Sequence, residues 1–203
     1  MIEDLACCGI LPIDGTIGCD GPLTPMPMNI RRAEIDDAAE ACAVLRRSIT
    51  KLCYLDHGGD EAHLAKWLSN KTEENVRSWI LEDHFFVAEE GGRIVGVAAM
   101  SDAGKVTLNY VSPDARFRGV SKALMQCLEN NARKLGIAEC SLKSSQTALR
   151  FYKALGYVPS GESCGLQDTG SMTTVLAKRL GTSAVSNSDT TKDSDVQAGS
   201  PPK

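Results

Sequence analysis

Residues 116 to 121 read Arg116-Phe117-Arg118-Gly119-Val120-Ser121, between a strand-like stretch, Val106 to Val111, and a helix-like one. A strand-to-helix loop of this kind aims successive backbone N–H groups at one point, and the helix dipole adds partial positive charge there. The arginines suit phosphate oxygens, and Gly119 lets the backbone approach a ligand with no side chain in the way. The chemistry implied is anion binding. It is not that of the common nucleotide loops, since the chain has no GxxxxGKS/T and no GxGxxG after a strand. Two other groups of residues have useful chemistry. Asp56, His57 and Asp60 place two carboxylates around a histidine, a set that could bind a cationic amine or relay its proton, and Glu89 and Glu90 end a strand-like run.

Helices and strands must carry these groups, and their periods are legible. After Asp36, Ala38, Ala41, Cys42, Leu45, Ile49 and Leu52 recur at helical spacing. His63 to Leu68 reads as a short helix, with the Asp56 to Asp60 stretch before it read as a loop. Thr72 is an N-cap, with Glu73 and Glu74 in the first turn and Val76, Trp79 and Ile80 as apolar positions. Three strands follow, Phe85 to Glu89, Ile94 to Met100 and Val106 to Val111, joined by a type I′ signal at Gly91-Gly92 and a turn at Asp102-Ala103-Gly104. After the loop, Val120, Ala123, Leu124, Cys127, Leu128 and Leu135 form the inner face of a helix, with Lys122, Gln126, Glu129 and Arg133 outside and Gly136 as its stop. A strand from Ala138 to Lys143 then leads into a helix carrying Ala148, Phe151, Tyr152 and Leu155. Tyr157 to Ser160 and Met172 to Leu176 read as the last strands. The order is that of an α/β fold, a mixed central sheet with flanking helices.

At 203 residues and 42% hydrophobic content, the chain can bury one sizeable core. Residues 1-27 carry scattered Gly and Pro without periodicity and read as a poorly ordered extension, so Met28 opens the folded part or even translation. Residues 28-180 form the domain, and 181-203 read as a disordered tail rich in Ser, Thr, Asp and Gly. A net charge of -4 argues against nonspecific nucleic-acid binding, and no apolar run approaches the roughly 20 residues that span a bilayer. The acidic start lacks the basic region of a secretory signal, which leaves a cytoplasmic location as the expectation. The eight cysteines show no CxxC or other metal spacing and read as reduced thiols, with no metal site.

Arg116-x-x-Gly119-x-Ser121 resembles the pyrophosphate loop of the GNAT superfamily of acyl-CoA-dependent N-acyltransferases, with Ser121 in place of the usual glycine or alanine. A second motif, Ala148-x-x-Phe151-Tyr152-x-x-x-Gly156-Tyr157, is similar to another signature of that family, and Ser145 stands where the family often carries asparagine. The resemblance spans roughly Met28 to Leu180. It implies that the two parallel strands splay apart and admit the pantetheine arm of acetyl-CoA. Backbone groups of Tyr110 and Val111 would hold that arm, and Ser145 would face it. The amides of Arg118, Gly119, Val120, Ser121 and Lys122 would take the pyrophosphate, with charge added by Arg116 and Arg118. It implies further that Tyr152 donates to the departing thiolate and that the Val111 N–H receives the oxyanion. Asp56, His57, Asp60 and Glu89, with Glu90, are the candidates for the acceptor side, where Trp67 and Trp79 wall a groove or pack in the core. The activity implied is acetyl transfer to a primary amine of a small molecule. A protein N-terminus or lysine is the alternative acceptor. Readings from other classes are a noncatalytic acyl-CoA-binding module and a partner-binding module acting through the tails. A homodimer is expected by analogy alone.

Overall fold

A computed structural model describes residues 27–160 and 173–181. Residues 1–26 of the extension and 182–203 of the tail, with Cys7, Cys8, Cys19, Cys164 and Met172, lie outside the described residues. A seven-stranded sheet runs in the order β1-β2-β3-β4-β5-β7-β6. Its strands are β1 (Asn29–Arg32), β2 (His84–Glu90), β3 (Arg93–Met100), β4 (Lys105–Val111), β5 (Glu139–Ser144), β6 (Val158–Pro159) and β7 (Thr174–Arg179). Every neighbouring pair is antiparallel except β4 and β5.

Four helices lie between β1 and β2: α1 (Ala38–Leu52), α2 (Tyr54–His57), α3 (Glu61–Leu68) and α4 (Glu73–Glu82). The short α2 corrects the expectation of a loop there, because Tyr54 to His57 close one turn that Gly58 ends in the left-handed conformation at φ 59°. Helix α4 starts as Thr72 predicts, its hydroxyl accepting the Asn75 N–H at 3.3 Å. Strands β2 and β3 turn at Gly91 and Gly92, both with positive φ. The last two strands are displaced from their expected bounds: β6 covers two residues, and β7 runs on to Arg179.

The sheet separates two cores. On one face α1 and α4 cover Phe85, Val87, Val97, Ala99 and Leu108, and on the other α5 (Val120–Lys134) and α6 (Leu149–Ala154) cover Ala88, Ala98, Met100, Val106 and Leu142. Helix α5 buries Val120, Leu124, Met125, Leu128, Glu129 and Ala132. Its inner face is therefore rotated from the sequence expectation. Glu129, expected outside, is 5% exposed, and Leu135, expected inside, is 51% exposed. Glu129 is admitted because Lys178 of β7 donates to both its carboxylate oxygens at 2.7 and 2.8 Å, which compensates its desolvation.

One packing detail places the anion loop. A Cβ on Gly96 of β3 would stand 2.6 Å from a Val120 methyl, so glycine there lets the first turn of α5 lie directly on the sheet. The loop is thereby brought to the end of β4.

Candidate active site

Strands β4 and β5 pair only at Lys105–Ser141 and Val106–Leu142, and β4 then continues alone to Val111. The splay expected from the sequence is present. Its start coincides with an irregularity in the β3–β4 register between Ala99 and Met100, which pair with Leu108 and Val106 and leave Thr107 over. An extra residue bends a strand. The Thr107 hydroxyl holds the bend by donating to Asp83 at 3.1 Å.

The resulting cleft measures about 520 Å³ and reaches from α1 on one face of the sheet to α6 on the other. Beyond Thr107, antiparallel alternation decides which backbone groups face it. Ser112 N–H donates to Val95 C=O at 2.8 Å, and the pairs Gly96–Val111, Val97–Tyr110 and Ala98–Asn109 continue that register. The backbone of Tyr110 is therefore turned toward Val97, while the N–H and C=O groups of Asn109 and Val111 face the open side. Of the two residues expected to offer backbone groups, Val111 turns them to the open side and Tyr110 turns them to β3 while its side chain lines the cleft; the other backbone on the open side is that of Asn109.

The anion loop ends at Gly119, the N-cap of α5 at φ 81°. Ala123 is the first residue whose N–H bonds back into the helix, to Gly119 C=O at 3.0 Å, so the amides of Val120, Ser121 and Lys122 precede the helical ladder. Phe117 is held at φ 61°, a conformation costing a non-glycine residue on the order of 1 kcal/mol. It is 93% exposed beneath the Arg116 guanidinium, 4.6 Å from the ring centre. Arg118 bonds Glu90 at 2.6 Å, so the loop carries a carboxylate beside its second arginine.

A hydrogen-bonded chain joins this loop to Tyr152. The Ser121 hydroxyl donates to Asn109 Oδ1 at 3.0 Å, and Asn109 Nδ2 donates to the Tyr152 oxygen at 3.3 Å. The first bond fixes the amide orientation. The second leaves the phenol O–H proton free to point elsewhere. Burial, opposed in part by the Asn109 bond, pushes the Tyr152 phenol up to about 12. Ser121, the departure from the family pattern, thus has a partner that glycine or alanine would lack. The sequence signal for Asn109 was a residue type depleted in strands, set in an apolar run.

The four acceptor-side candidates do not line the cleft. Asp56 is buried and accepts the Gln146 and Thr147 amides at 2.7 and 3.4 Å, which ties α2 to the β5–α6 turn that carries Ser145. His57 is buried and accepts the Gly59 N–H on Nδ1 at 3.1 Å. Asp60 is the N-cap of α3, accepting Ala62 and His63 amides that hold its carboxyl below the usual range. Glu89 bonds Arg31 at 2.9 Å, and Arg31 also forks Asp37. Of the tryptophans, Trp67 lines the cleft, whereas Trp79 packs against the α1–α4 core.

Ser48, Leu52, Cys53, Trp67, Lys71 and Tyr110 line the side of the cleft toward α1 and α3. Burial pushes the Cys53 thiol up to about 12, raises the Tyr110 phenol and lowers the Lys71 ammonium. Sequence reasoning missed Lys71, which nothing in its polar surroundings distinguishes from a solvated lysine. Among the described residues, no group of three or more His, Cys, Asp or Glu is placed to hold a metal ion, and no helix is long and apolar enough to cross a membrane.

Known proteins share this architecture. The model of the acetyltransferase (GNAT) domain matches residues 55–171. A GCN5-related N-acetyltransferase from Rhodopseudomonas palustris superposes with a TM-score of 0.69 at 23% identity, covering 79% of this chain and 100% of that one. The PaiA N-acetyltransferase from Thermoplasma acidophilum, solved in complex with coenzyme A, superposes at 0.62 with 19% identity, covering 76% and 99%. An amino-acid acetyltransferase of Pseudomonas putida is 30% identical over 84 residues, 39% of this chain and 19% of that protein. The chain thus spans about a fifth of the length of that curated relative.

Proposed function

Because this chain belongs to the GNAT acetyltransferase family, whose domain model matches more than half of it, we propose that it transfers acetyl from acetyl-CoA directly to a primary amine of a small molecule. The observation that carries this reading is the unpaired edge of β4, where Asn109 and Val111 turn backbone groups into a cleft that also contains Tyr152. An extended pantetheine arm fits there as a strand would, with its pyrophosphate on the amides that open α5. The Pseudomonas putida relative supports a small acceptor over a protein one by its name, amino-acid acetyltransferase.

The amine nitrogen attacks the thioester carbonyl carbon, and the C–N bond forms as the C–S bond breaks. The Val111 N–H is the donor for the oxyanion, and the nitrogen's surplus proton leaves to water. Full proton transfer from a phenol near 12 to a thiolate of reference value near 8.5 would run uphill by about 5 kcal/mol. Tyr152 therefore stabilises the leaving sulfur as a hydrogen-bond donor and keeps its proton. Cys53, held as a thiol by its value near 12, is a poor nucleophile, which favours direct attack over an acyl-enzyme.

Calorimetric titration of acetyl-CoA tests the reading, with Gly119→Glu as the disrupting variant. A Cβ at Gly119 meets nothing within 4 Å, so the substitution adds a carboxylate and backbone strain without a clash. Gly119→Ala carries the strain alone. We expect wild-type binding, at least a hundredfold loss in the glutamate variant and a smaller loss in the alanine one. A folded wild-type protein that binds no acetyl-CoA would sink the proposal.

A further inference from the structure

Lys71 is the most anomalous charge in the cleft. It is 8% exposed, and among the described residues no carboxylate lies within ion-pair distance. An ammonium has three donors. One is taken by Asn70 Oδ1 at 2.6 Å, and the group lies 5.4 Å from the centre of the Trp79 ring. Burial holds its pKa below the ordinary lysine value. Burying a cation without a counterion is unfavourable, and the backbone does not let this one withdraw. The Lys71 carbonyl is clamped to α1 by Arg46 at 3.0 Å and Cys42 at 3.2 Å, and its N–H donates to Leu68 at 3.0 Å.

The lining around it has a consistent sign. Lys71, Lys105 and Lys143 border the cleft, and among the described residues no Asp or Glu does. A polycationic acceptor would meet like charge there. The amides that open α5 lie on the α5 face of the sheet, whereas Lys71 is packed against α1 and α4 on the opposite face, the side that a cofactor seated on those amides leaves open to an acceptor.

We infer that Lys71 is a specificity residue that pairs with a carboxylate on the acceptor, so that the amine used by this protein is a free amino acid. The inference rests on the acetyltransferase reading and goes further, by assigning the acceptor's second functional group to one side chain. The bound carboxylate supplies the missing counterion, and the α-amino group beside it is held within a short, fixed distance of that anchor.

The test is thiol release from acetyl-CoA with each of the twenty common amino acids, and with the α-amide of every one that is used. It is run with wild type, Lys71→Met and Lys71→Arg, each shown to be folded by circular dichroism. In wild type, amides should fall at least tenfold in kcat/KM. In Lys71→Met the KM for the amino acid should rise at least tenfold while kcat changes little, acetyl-CoA affinity stays unchanged, and discrimination against the amide disappears. Lys71→Arg should recover part of the loss. Equal use of amides, preference for spermidine or a peptide N-terminus, or no use of any amino acid despite acetyl-CoA binding would overturn the inference and leave the transferase standing. A fall in kcat with KM unchanged would overturn it too, and mark the lysine as a proton acceptor. Absence of acetyl-CoA binding in wild type would take both proposals down together.

Discussion

The two walls of the cleft are held in opposite ways. On the α5–α6 wall, Ser121, Asn109 and Tyr152 form a continuous hydrogen-bonded chain. On the α1–α4 wall, Lys71 has one neutral acceptor and a ring face, while Cys53 and Tyr110 are shifted chiefly by burial. A wall whose polar groups satisfy one another is rigid and can aim a proton. A wall with an unmatched charge is completed by whatever it binds. On the proposed function, the first wall would carry the part of the chemistry common to every acceptor, and the second the choice among acceptors.

Substitutions can break the contrast wall by wall. Tyr152→Phe removes the phenol and keeps the ring edges that meet Phe151 and Tyr157. We expect kcat to fall about 10²-fold with acetyl-CoA affinity retained, as for other lost hydrogen-bond donors to a developing charge. Unchanged turnover would remove Tyr152 from the chemistry. Asn109→Asp is gentler in volume and sharper in logic. A carboxylate accepts where the amide donated, so the Tyr152 O–H would turn toward it and away from the cleft; kcat should drop about tenfold, a change of about 1.4 kcal/mol. Ser121→Ala leaves the amide without its orienting donor, and loss of one such bond, about 1 kcal/mol, corresponds to a roughly fivefold decrease. If Ser121→Ala lowered only acetyl-CoA affinity, the serine would belong to the cradle and not to the chain.

The same contrast explains what the sequence allowed to be read. The α5–α6 wall is built by motifs at fixed spacing from strand and helix ends, so Gly119, Ser121 and Tyr152 could be assigned before any geometry was known. The splay of β4 from β5 followed from the family resemblance. Which backbone groups face it depends on the hydrogen-bonding phase of the β3–β4 ladder, which the apolar pattern does not encode; hence the backbone on the open side is that of Asn109 and not the expected Tyr110. On the other wall, composition misled. Asp56, Asp60 and Glu89 are charged residues near turns, and their partners are two loop amides, a helix N-terminus and Arg31. Their chemistry is real and structural. Glu129 shows the same limit, since nothing near it in sequence announces Lys178, which comes from a strand 49 residues away.

The smallest effect tests the second wall in the absence of any substrate. Lys71 has its pKa lowered in the folded protein because burial disfavours the ammonium. The unfolded chain therefore binds more protons than the folded one between the lowered value and the ordinary lysine value of 10.5. Lys71 thus costs stability at neutral pH, and that cost fades as pH rises through this window. Lys71→Met keeps an unbranched apolar side chain and deletes the charge that lies 5.4 Å from the Trp79 ring centre. It should raise the stability of the apoprotein by about 1 kcal/mol near pH 7, less whatever the cation–π contact returns, with the gain shrinking toward pH 10. Urea titrations at the two pH values would show it. A variant less stable than wild type at both would mean that Lys71 is already balanced within the fold, and the two walls would then differ in residue type without differing in how complete they are.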